Sequence, residues 1–340
     1  MLLPTKLLRL ARIFFDFKRR TETVGALPIR LWIETASCCN LRCVMCPNKS
    51  VPGSEKGLMK MDLFSKIVDE ARDFVSDVYL HHRGEPLMNP ALFDMIRYAR
   101  AAGIKTRFHS NGTLLSEDKA RQLLEAGPDM VSFSVDGFTK ESYEHVRIGA
   151  TFEKTVENIL RLAALRREGN FRRPYIVIEK ICFKQPESAA CQQEIDALRR
   201  RFLDAGVDEI IAKEEYVWAE ASAPETAAAP ACSACTFPWY AMVICFDGSV
   251  TPCPQDFHAH MTLGDASSSS LKAIWNGEPY RQLRRRFATD IDSLTLCRKC
   301  DRLTRKTVGG VPLQYMITFL TDQLVGYSKL RKLMGSQERN

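Results

Sequence analysis

The chain has 340 residues, of which 45% are hydrophobic and 26% are charged, and its formal net charge is +7. This composition is typical of a folded globular protein, and it excludes a disordered chain and a small disulfide-held scaffold. Charged residues interrupt every apolar run well short of the ~18 residues that a membrane-spanning helix needs, and the modest charge does not indicate nucleic-acid binding. We therefore expect a cytoplasmic protein of one or two domains.

Residues 1–29 are predicted to contain a basic amphipathic helix. Apolar residues recur there at spacings of three and four, which places them on one helical face. These residues are Leu3, Leu7, Leu10, Phe14 and Phe17. Because basic side chains lie mostly off that face, the helix could make peripheral contact with an anionic membrane. We favour the alternative, in which the apolar face packs against the barrel or a partner subunit.

From residue 30 onward, runs of β-branched and aromatic residues alternate with helical patterns. Strands are predicted at residues 30–36, 77–82, 105–111, 130–136, 175–183 and 208–214. Helical patterns between them include residues 61–75, 90–103, 116–127 and 151–168. This alternation predicts an α/β domain over residues 30–215, with a parallel sheet that forms either a partial barrel or an open doubly wound sheet.

The composition changes after this domain. Residues 216–231 are small and interrupted by proline, which predicts a linker. A second, smaller domain is expected over residues 232–308, beginning with a hairpin whose turn is Asp247-Gly248. Residues 309–340 are expected to form a C-terminal helix.

Cysteines Cys39, Cys43 and Cys46 are spaced C-x3-C-x2-C directly after the first predicted strand. Three thiolates can bind three irons of a cubane cluster and leave the fourth iron open for a reactive ligand. The alternative is a structural zinc or ferredoxin-type site, which would need a fourth ligand nearby. Cys38 is a poor fourth ligand, because its side chain should point away from that of its neighbour Cys39.

Three further motifs follow the next three strands, namely "GEP" (84–86), "SNGTLL" (110–115) and "SVDG" (134–137). In this order, the four motifs resemble those of the radical S-adenosylmethionine (SAM) superfamily, although Arg83 stands where a glycine is usual. The resemblance implies a partial (β/α)6 barrel, a SAM-binding [4Fe-4S] cluster and cleavage of SAM to a 5′-deoxyadenosyl radical. The residues that it implies in SAM binding are Gly84, Glu85, Ser110, Asn111, Ser134, Asp136 and Arg147.

A second group of cysteines lies near the C-terminus, and its candidate ligands are Cys235, Cys253, Cys297 and Cys300. Four thiolates can close an iron–sulfur cluster completely, although zinc also suits such a set. Cys232 is an alternative or additional ligand. The surrounding "DGSVTPC" and "IWN" segments resemble a SPASM domain, in the shortened "twitch" form with one auxiliary [4Fe-4S] cluster.

Enzymes of this kind with a single auxiliary cluster include aminocyclitol dehydrogenases. The sequence therefore favours oxidation of a sugar, cyclitol or similar polar small molecule, with an external donor such as flavodoxin or ferredoxin. The alternatives are a peptide-modifying maturase and a non-catalytic iron–sulfur electron carrier. A dehydrogenase also needs a proton acceptor, and the candidates are Glu179 and Asp256, followed by His82, Arg83, Lys180 and His258.

Overall fold

The structure is a computed structural model that describes residues 3–182, 189–214, 235–298 and the isolated positions 218, 300, 303, 307–308 and 311–312. Cys232 and nearly all of the predicted linker and C-terminal helix lie outside the described residues. The chain divides into two compact units, which we name the core unit and the auxiliary unit. The core unit comprises Ile33–Val68, Val78–Tyr216 and Gln337–Asn340, and the auxiliary unit comprises Met1–Trp32, Asp69–Asp77 and Val217–Ser336.

Helices and strands are numbered along the chain. The helices are α1 (Leu3–Lys18), α2 (Met61–Ala71), α3 (Leu92–Ala101), α4 (Glu117–Ala126), α5 (Lys140–Val146), α6 (Phe152–Glu168), α7 (Ala189–Ala205), α8 (Phe237–Tyr240), α9 (Leu271–Trp275), α10 (Glu278–Thr289) and α11 (Thr295–Arg298). The strands are β1 (Arg30–Ile33), β2 (Asp77–Tyr79), β3 (Lys105–Ser110), β4 (Met130–Ser134), β5 (Tyr175–Cys182), β6 (Glu209–Glu214), β7 (Ala241–Ile244), β8 (Ser249–Thr251), β9 (Gly264–Asp265), β10 (Thr307–Val308) and β11 (Val311–Pro312).

The core unit has the predicted α/β architecture. Its strands lie in the order β6-β5-β4-β3-β2-β1, and the boundary between the two units falls within β1 and β2. Strands β3 to β6 are parallel to one another, and a helix or helix pair separates each strand from the next. The alternation that the sequence predicts over residues 30–215 is therefore confirmed.

Strands β4 and β5 are apolar where they begin and polar where they end. Residues Met130 to Phe133 of β4 are buried and Ser134 is half-buried. Along β5, Tyr175 to Ile178 are buried, whereas Glu179 is half-buried and lies opposite Ser134. The apolar halves of these strands lie in the core, and their carboxyl ends bring polar side chains to one edge of the sheet.

The auxiliary unit is built around a small apolar core. In it, β7, β8 and β9 form an antiparallel sheet. Gly248 makes the predicted turn between β7 and β8 with a φ of 99°, a conformation that favours glycine. A Cβ atom at this position would also lie 2.8 Å from Oδ1 of Asp265.

Helix α1 packs on this core through a face that differs from the predicted one. Leu10, Ile13 and Phe17 are buried, whereas Leu7 and Phe14 remain 46% and 45% exposed. The buried face contacts a cluster that includes residues of α8 and β7. The helix therefore packs within the auxiliary unit, where the sequence analysis expected the barrel or a partner subunit, and the predicted apolar stripe is not buried as a whole. Among the described helices, none combines the length and apolar character that crossing a bilayer requires.

A buried ion pair joins two segments of the auxiliary unit. The guanidinium of Arg30 donates to both carboxylate oxygens of Asp77, with Nη2 lying 2.9 Å from Oδ2. Both side chains are buried. If either side chain were removed, the other would remain as a buried charge without a counter-charge.

We predict that Asp77→Ala lowers the free energy of unfolding by about 3–5 kcal/mol, because it leaves the Arg30 charge buried without its carboxylate. Arg97→Ala is the control, since it removes an exposed ion pair with Asp94 and should cost less than about 1 kcal/mol. Urea denaturation followed by circular dichroism measures both. Equal losses in the two variants would contradict the prediction.

Candidate functional site

The candidate site begins with the loop that follows β1. It carries Cys39, Cys43 and Cys46, of which Cys43 is buried and the other two are half-buried. Asn48 closes the loop, because its side-chain amide donates to the carbonyl oxygen of Ser37 at 2.8 Å. Backbone N–H groups of the loop also form hydrogen bonds with other segments of the core unit. The backbone N–H of residue 44, for example, donates to the carbonyl oxygen of residue 146 at 3.0 Å.

The three thiols lie close enough for their charges to interact. Burial raises the pKa of Cys39 to about 11, and it also raises the pKa values of Cys43 and Cys46. The charges of Cys43 and Cys46 raise the pKa of Cys39 further. Binding to iron relieves both effects, since cysteine ligands are bound as thiolates. The donor set therefore fits a cluster that takes one thiolate on each of three irons.

Within the part of the chain that the structure describes, no three Cys, His, Asp or Glu side chains converge closely enough to chelate a single metal ion. An iron–sulfur cubane does not need such convergence, because each thiolate binds a different iron. Cys38 points elsewhere, with its Sγ lying 3.9 Å from the carbonyl oxygen of Gly57. The structure thus groups Cys39, not Cys38, with Cys43 and Cys46.

The turn at Gly84 and Glu85 packs directly against the cysteine loop. The backbone N–H of Glu85 donates to the carbonyl oxygen of Cys38 at 2.8 Å. A Cβ atom on Gly84 would lie 2.3 Å from that same oxygen and 2.5 Å from the carbonyl oxygen of Ala36. Real Cβ atoms do not approach backbone atoms so closely, so only glycine fits at position 84.

The carboxylate of Glu85 links this turn to the end of β3. It accepts hydrogen bonds from Ser110 Oγ at 2.8 Å, from the Asn111 backbone N–H at 2.7 Å and from the Leu87 backbone N–H at 3.0 Å. Burial raises the pKa of Glu85 although these bonds oppose the rise. Ser110 therefore forms a hydrogen bond with Glu85. The sequence analysis had predicted that Ser110 contacts SAM or substrate. Asn111 reaches back toward the cluster ligands, with its Nδ2 lying 3.9 Å from Cys39 Sγ.

Arg147 places a buried positive charge beside the cysteine loop. Its Nε donates to Asp136 Oδ2 at 2.7 Å, and its Nη1 donates to Cys43 Sγ at 3.7 Å. Burial alone lowers the pKa of Arg147, but the negative charges of Asp136 and Cys43 outweigh it and raise the pKa overall. Arg147 is therefore charged at every working pH, and both it and Asp136 have partners within the protein.

Glu179 lies in a group of polar side chains from neighbouring strands. Its Oε2 is 3.5 Å from His109 Nδ1 on β3 and contacts Lys213 Nζ on β6. The His109 ring lies 4.3 Å from the ring of His81, and the His109 backbone N–H donates to His81 Nδ1 at 3.2 Å. Ser134, opposite Glu179 in the sheet, is half-buried and its hydroxyl has no hydrogen-bond partner among the described residues.

Burial and neighbouring charges shift the pKa values of the titratable side chains in this group. Burial alone would raise the pKa of Glu179, but the charges of His109 and Lys213 outweigh it, so the pKa lies below its ordinary value. Burial lowers the pKa values of His109 and His81, that of His81 strongly. The group therefore holds a carboxylate that is ionised at neutral pH, beside Lys213 and two imidazoles whose pKa values lie below the ordinary value.

Three other predicted proton acceptors are not part of this group. Burial lowers the pKa of His82 to about 4, so this imidazole is uncharged at neutral pH. Arg83 Nε and Nη2 each donate to a carboxylate oxygen of Glu34 at 2.6 Å, so Arg83 is a buried cation. Lys180 alternates with Glu179 along β5, and its Nζ lies 5.1 Å from the centre of the Phe138 ring. Sequence reasoning missed His109, His81 and Lys213, although each stands at or near the carboxyl end of a predicted strand.

The auxiliary unit holds the second cysteine group. Cys235, Cys253, Cys297 and Cys300 are all half-buried. Burial raises the pKa of Cys297 well above its ordinary value, and the charges of the other three cysteines raise it further. The four thiols are therefore close enough to interact, as ligands of one cluster must be.

The remaining predicted acceptors, Asp256 and His258, lie in the loop after Cys253. Asp256 accepts hydrogen bonds from the backbone N–H groups of His260 at 2.9 Å and Met261 at 3.0 Å, and it is almost fully buried. These bonds make it a structural residue of the loop. His258 stacks near His260, with ring centres 5.6 Å apart.

Comparisons with known proteins agree with this geometry. The family model for the radical SAM superfamily matches residues 33–176, and a model for an iron–sulfur cluster-binding domain, SPASM, matches residues 235–301. A tungsten-containing aldehyde ferredoxin oxidoreductase cofactor-modifying protein from Pyrococcus furiosus is 34% identical over 187 residues, which are 53% of this chain and 50% of that protein. The chain thus spans about half the length of this curated relative.

Two solved structures share the fold. SuiB of Streptococcus suis, bound to its precursor peptide SuiA, has a TM-score of 0.61 at 15% identity and covers 88% of this chain and 77% of its own. BtrN in complex with AdoMet and 2-DOIA has a TM-score of 0.54 at 17% identity and covers 83% of this chain and 96% of its own. Radical SAM and SPASM domains bind [4Fe-4S] clusters and SAM, and the two cysteine groups described above are the candidate ligands. The chain belongs to the radical SAM superfamily and carries a C-terminal SPASM-type iron–sulfur cluster-binding domain.

Proposed function

We propose that this enzyme oxidises a hydroxyl-bearing carbon of a sugar, a cyclitol or a similar polar small molecule to a ketone. A [4Fe-4S] cluster held by Cys39, Cys43 and Cys46, reduced by an external donor such as flavodoxin or ferredoxin, would supply reductive cleavage of SAM and so the radical that removes the hydrogen atom from that carbon. Glu179 would accept the hydroxyl proton, and an auxiliary cluster held by the second cysteine group would accept the remaining electron.

The observation that carries this proposal is the ionised carboxylate of Glu179. It is half-buried near the carboxyl ends of β3, β5 and β6, in the same unit as the cysteine loop. His109 and Lys213 keep its pKa low, so it is ionised at neutral pH and is free to take up the proton of a hydroxyl group. A carboxylate and neutral imidazoles also hydrogen-bond hydroxyl groups, as recognition of a polyol requires.

The residues around the cysteine loop are proposed to position SAM. The Ser134 hydroxyl has no partner among the described residues, so it is available to the ribose or carboxylate of SAM. Asn111 and Arg147 contact cluster ligands directly and would hold the thiolates in orientation. Gly84 and Glu85 fix the loop, and the backbone of the half-buried Gly84 is the proposed contact for the SAM amino group. Asp136 would hold Arg147 in its orientation, and Ser110 would do the same for Glu85.

A peptide-modifying function is the second candidate. SuiB, whose structure contains a precursor peptide, shares the fold over 88% of this chain. The same radical step and the same Glu179 would serve a peptide substrate, so the two candidates differ in what enters the core unit. Incubation of the reduced enzyme and SAM with a panel of deuterated polyols and peptides distinguishes them. Deuterium transfer into 5′-deoxyadenosine from a polyol supports the first candidate, and transfer only from a peptide overturns it.

We predict that Cys39→Ser abolishes SAM cleavage by the dithionite-reduced protein and removes about half of its iron, because one of two cubanes loses a ligand. Iron analysis and chromatographic detection of 5′-deoxyadenosine measure the two effects.

Cys38→Ser is the matched control, since Cys38 points to the Gly57 carbonyl. It should retain both iron and cleavage. Loss of the first cluster in Cys38→Ser would reverse the ligand assignment, and failure of the unsubstituted protein to cleave SAM would favour an electron carrier.

Glu179→Gln is expected to lower ketone formation by about 10²–10⁴-fold, the usual contribution of a positioned base. The amide keeps the shape of the side chain but accepts no proton. SAM cleavage should continue, because Glu179 takes no part in it. The measurement is the ratio of ketone to 5′-deoxyadenosine, and an unchanged ratio would assign the base elsewhere.

Lys213→Met should move the acid limb of the pH profile to higher pH. Loss of the Lys213 charge leaves burial as the larger influence, and burial raises the pKa of Glu179. Since Glu179 must be ionised to act, activity would then fall at a higher pH as the solution is acidified. Lys213→Arg, which keeps the charge, should retain the original profile. An acid limb that moves equally in both variants would exclude a charge effect.

A further inference from the structure

Helix α1 has two apolar faces, of which one is packed and the other is exposed. The packed face, formed by Leu10, Ile13 and Phe17, is buried in the auxiliary unit. The residues of the second face are Leu7 (46% exposed), Leu8 (72%), Phe14 (45%) and Phe15 (54%). They are four of the ten large apolar side chains that are exposed in the described part of the chain. Such a concentration on one short helix indicates an interaction surface.

These exposed residues form one continuous surface. Phe14 follows Leu7 by seven residues and Phe15 follows Leu8 by seven, so each pair spans about two helical turns on one side of the helix. The rings of Phe14 and Phe15 meet edge to face, with their centres 5.7 Å apart. Ala11 is also exposed and lies between the two pairs. We name these five residues the outer face of α1.

Positive charge borders the outer face. Arg12, Lys18 and Arg19 are all exposed. Each follows a large apolar member of the outer face by four residues, so it lies beside that member on the helix surface. Asp16 is the one acidic residue of α1, and it is directed toward the protein, where its Oδ2 accepts from the backbone N–H of Gly25 at 3.1 Å. The outer face therefore combines apolar area with cations alone.

The opposite side of the helix fixes the orientation of the outer face. The Phe17 ring meets the Trp239 ring edge to face, with centres 5.6 Å apart. The Arg9 side chain donates from Nη1 to the carbonyl oxygen of Phe74 at 2.7 Å. Because the helix is already formed and anchored, a ligand that covers the outer face does not have to order the backbone, and this lowers the entropic cost of binding.

We propose that the outer face of α1 docks the protein on an anionic lipid surface. Its apolar side chains enter the boundary between headgroups and acyl chains, while Arg12, Lys18 and Arg19 lie at the level of the anionic headgroups. The charge favours lipid over a second copy of the chain, because a symmetric contact would bring two basic faces together. Packing and membrane contact thus use different faces of one helix. This inference is independent of the proposed reaction.

The test is flotation of the full-length holoprotein with vesicles of two compositions. One is a mixture of phosphatidylcholine and phosphatidylserine, and the other is phosphatidylcholine alone. We expect binding to the mixed vesicles that weakens as the salt concentration rises, because salt screens the basic side chains. Binding to the neutral vesicles should be much weaker. A protein that does not float with the mixed vesicles at low salt overturns the proposal.

A double variant, Leu8→Ser with Phe15→Ser, tests the apolar part of the outer face. It should lower the partition coefficient for the mixed vesicles by about tenfold for each side chain, because that apolar surface no longer leaves water. Thermal stability should be unchanged, since both side chains are exposed. Leu203→Ser is the matched control, because Leu203 is 43% exposed on α7 of the core unit. Equal partitioning of the double variant and the unsubstituted protein would contradict the proposal.

Two further measurements test the charge and the choice of occupant. Arg12→Gln with Arg19→Gln should weaken binding to the mixed vesicles by about fivefold for each lost charge, whereas Arg97→Gln, at an exposed position of α3, should not. Analytical ultracentrifugation without lipid detects a second copy of the chain. A dimer that Leu8→Ser with Phe15→Ser dissociates would assign the outer face to self-association and overturn the lipid proposal.

Discussion

The close approach of the Gly84–Glu85 turn to the cysteine loop is the constraint on which the site depends. The loop has little secondary structure of its own, so its backbone needs partners from elsewhere. The turn supplies one through the Glu85 N–H, and the absence of a side chain at position 84 allows it to come near enough. The Glu85 carboxylate then joins the turn to the end of β3. Three separate segments therefore hold one another in register around the thiols.

Buried cations in both units are paired with carboxylates. In the core unit each buried cation next to the loop has a carboxylate, as Arg147 has Asp136 and Arg83 has Glu34. Such pairs fix geometry, because either member alone would be costly to bury. In the auxiliary unit Arg30 likewise has Asp77, whereas the acceptors of Arg284 within the described chain are uncharged.

The order of strands and helices in the core unit could be predicted because the signals are local. β-Branched runs indicated the strands, and Ser116 and Gly127 marked the limits of α4, where the Ser116 side chain accepts from Lys119 N and Gly127 adopts a φ of 61°. The short helix α5 was not predicted. Its capping box pairs Thr139 with Ser142, whereas the usual sequence signature has Glu or Gln at the second position.

The sequence by itself predicted the candidate cluster ligands of the core unit, since the spacing of Cys39, Cys43 and Cys46 and the alternation of side chains leave Cys38 outside the set. It also determined the α/β class and the presence of a second cysteine domain. Only the tertiary structure decided which polar residues meet. His109, Glu179 and Lys213 come from three strands, and they are brought together by the parallel registers of β3 to β6. Register depends on packing across the whole sheet, so contacts of this kind have no local signal in the chain.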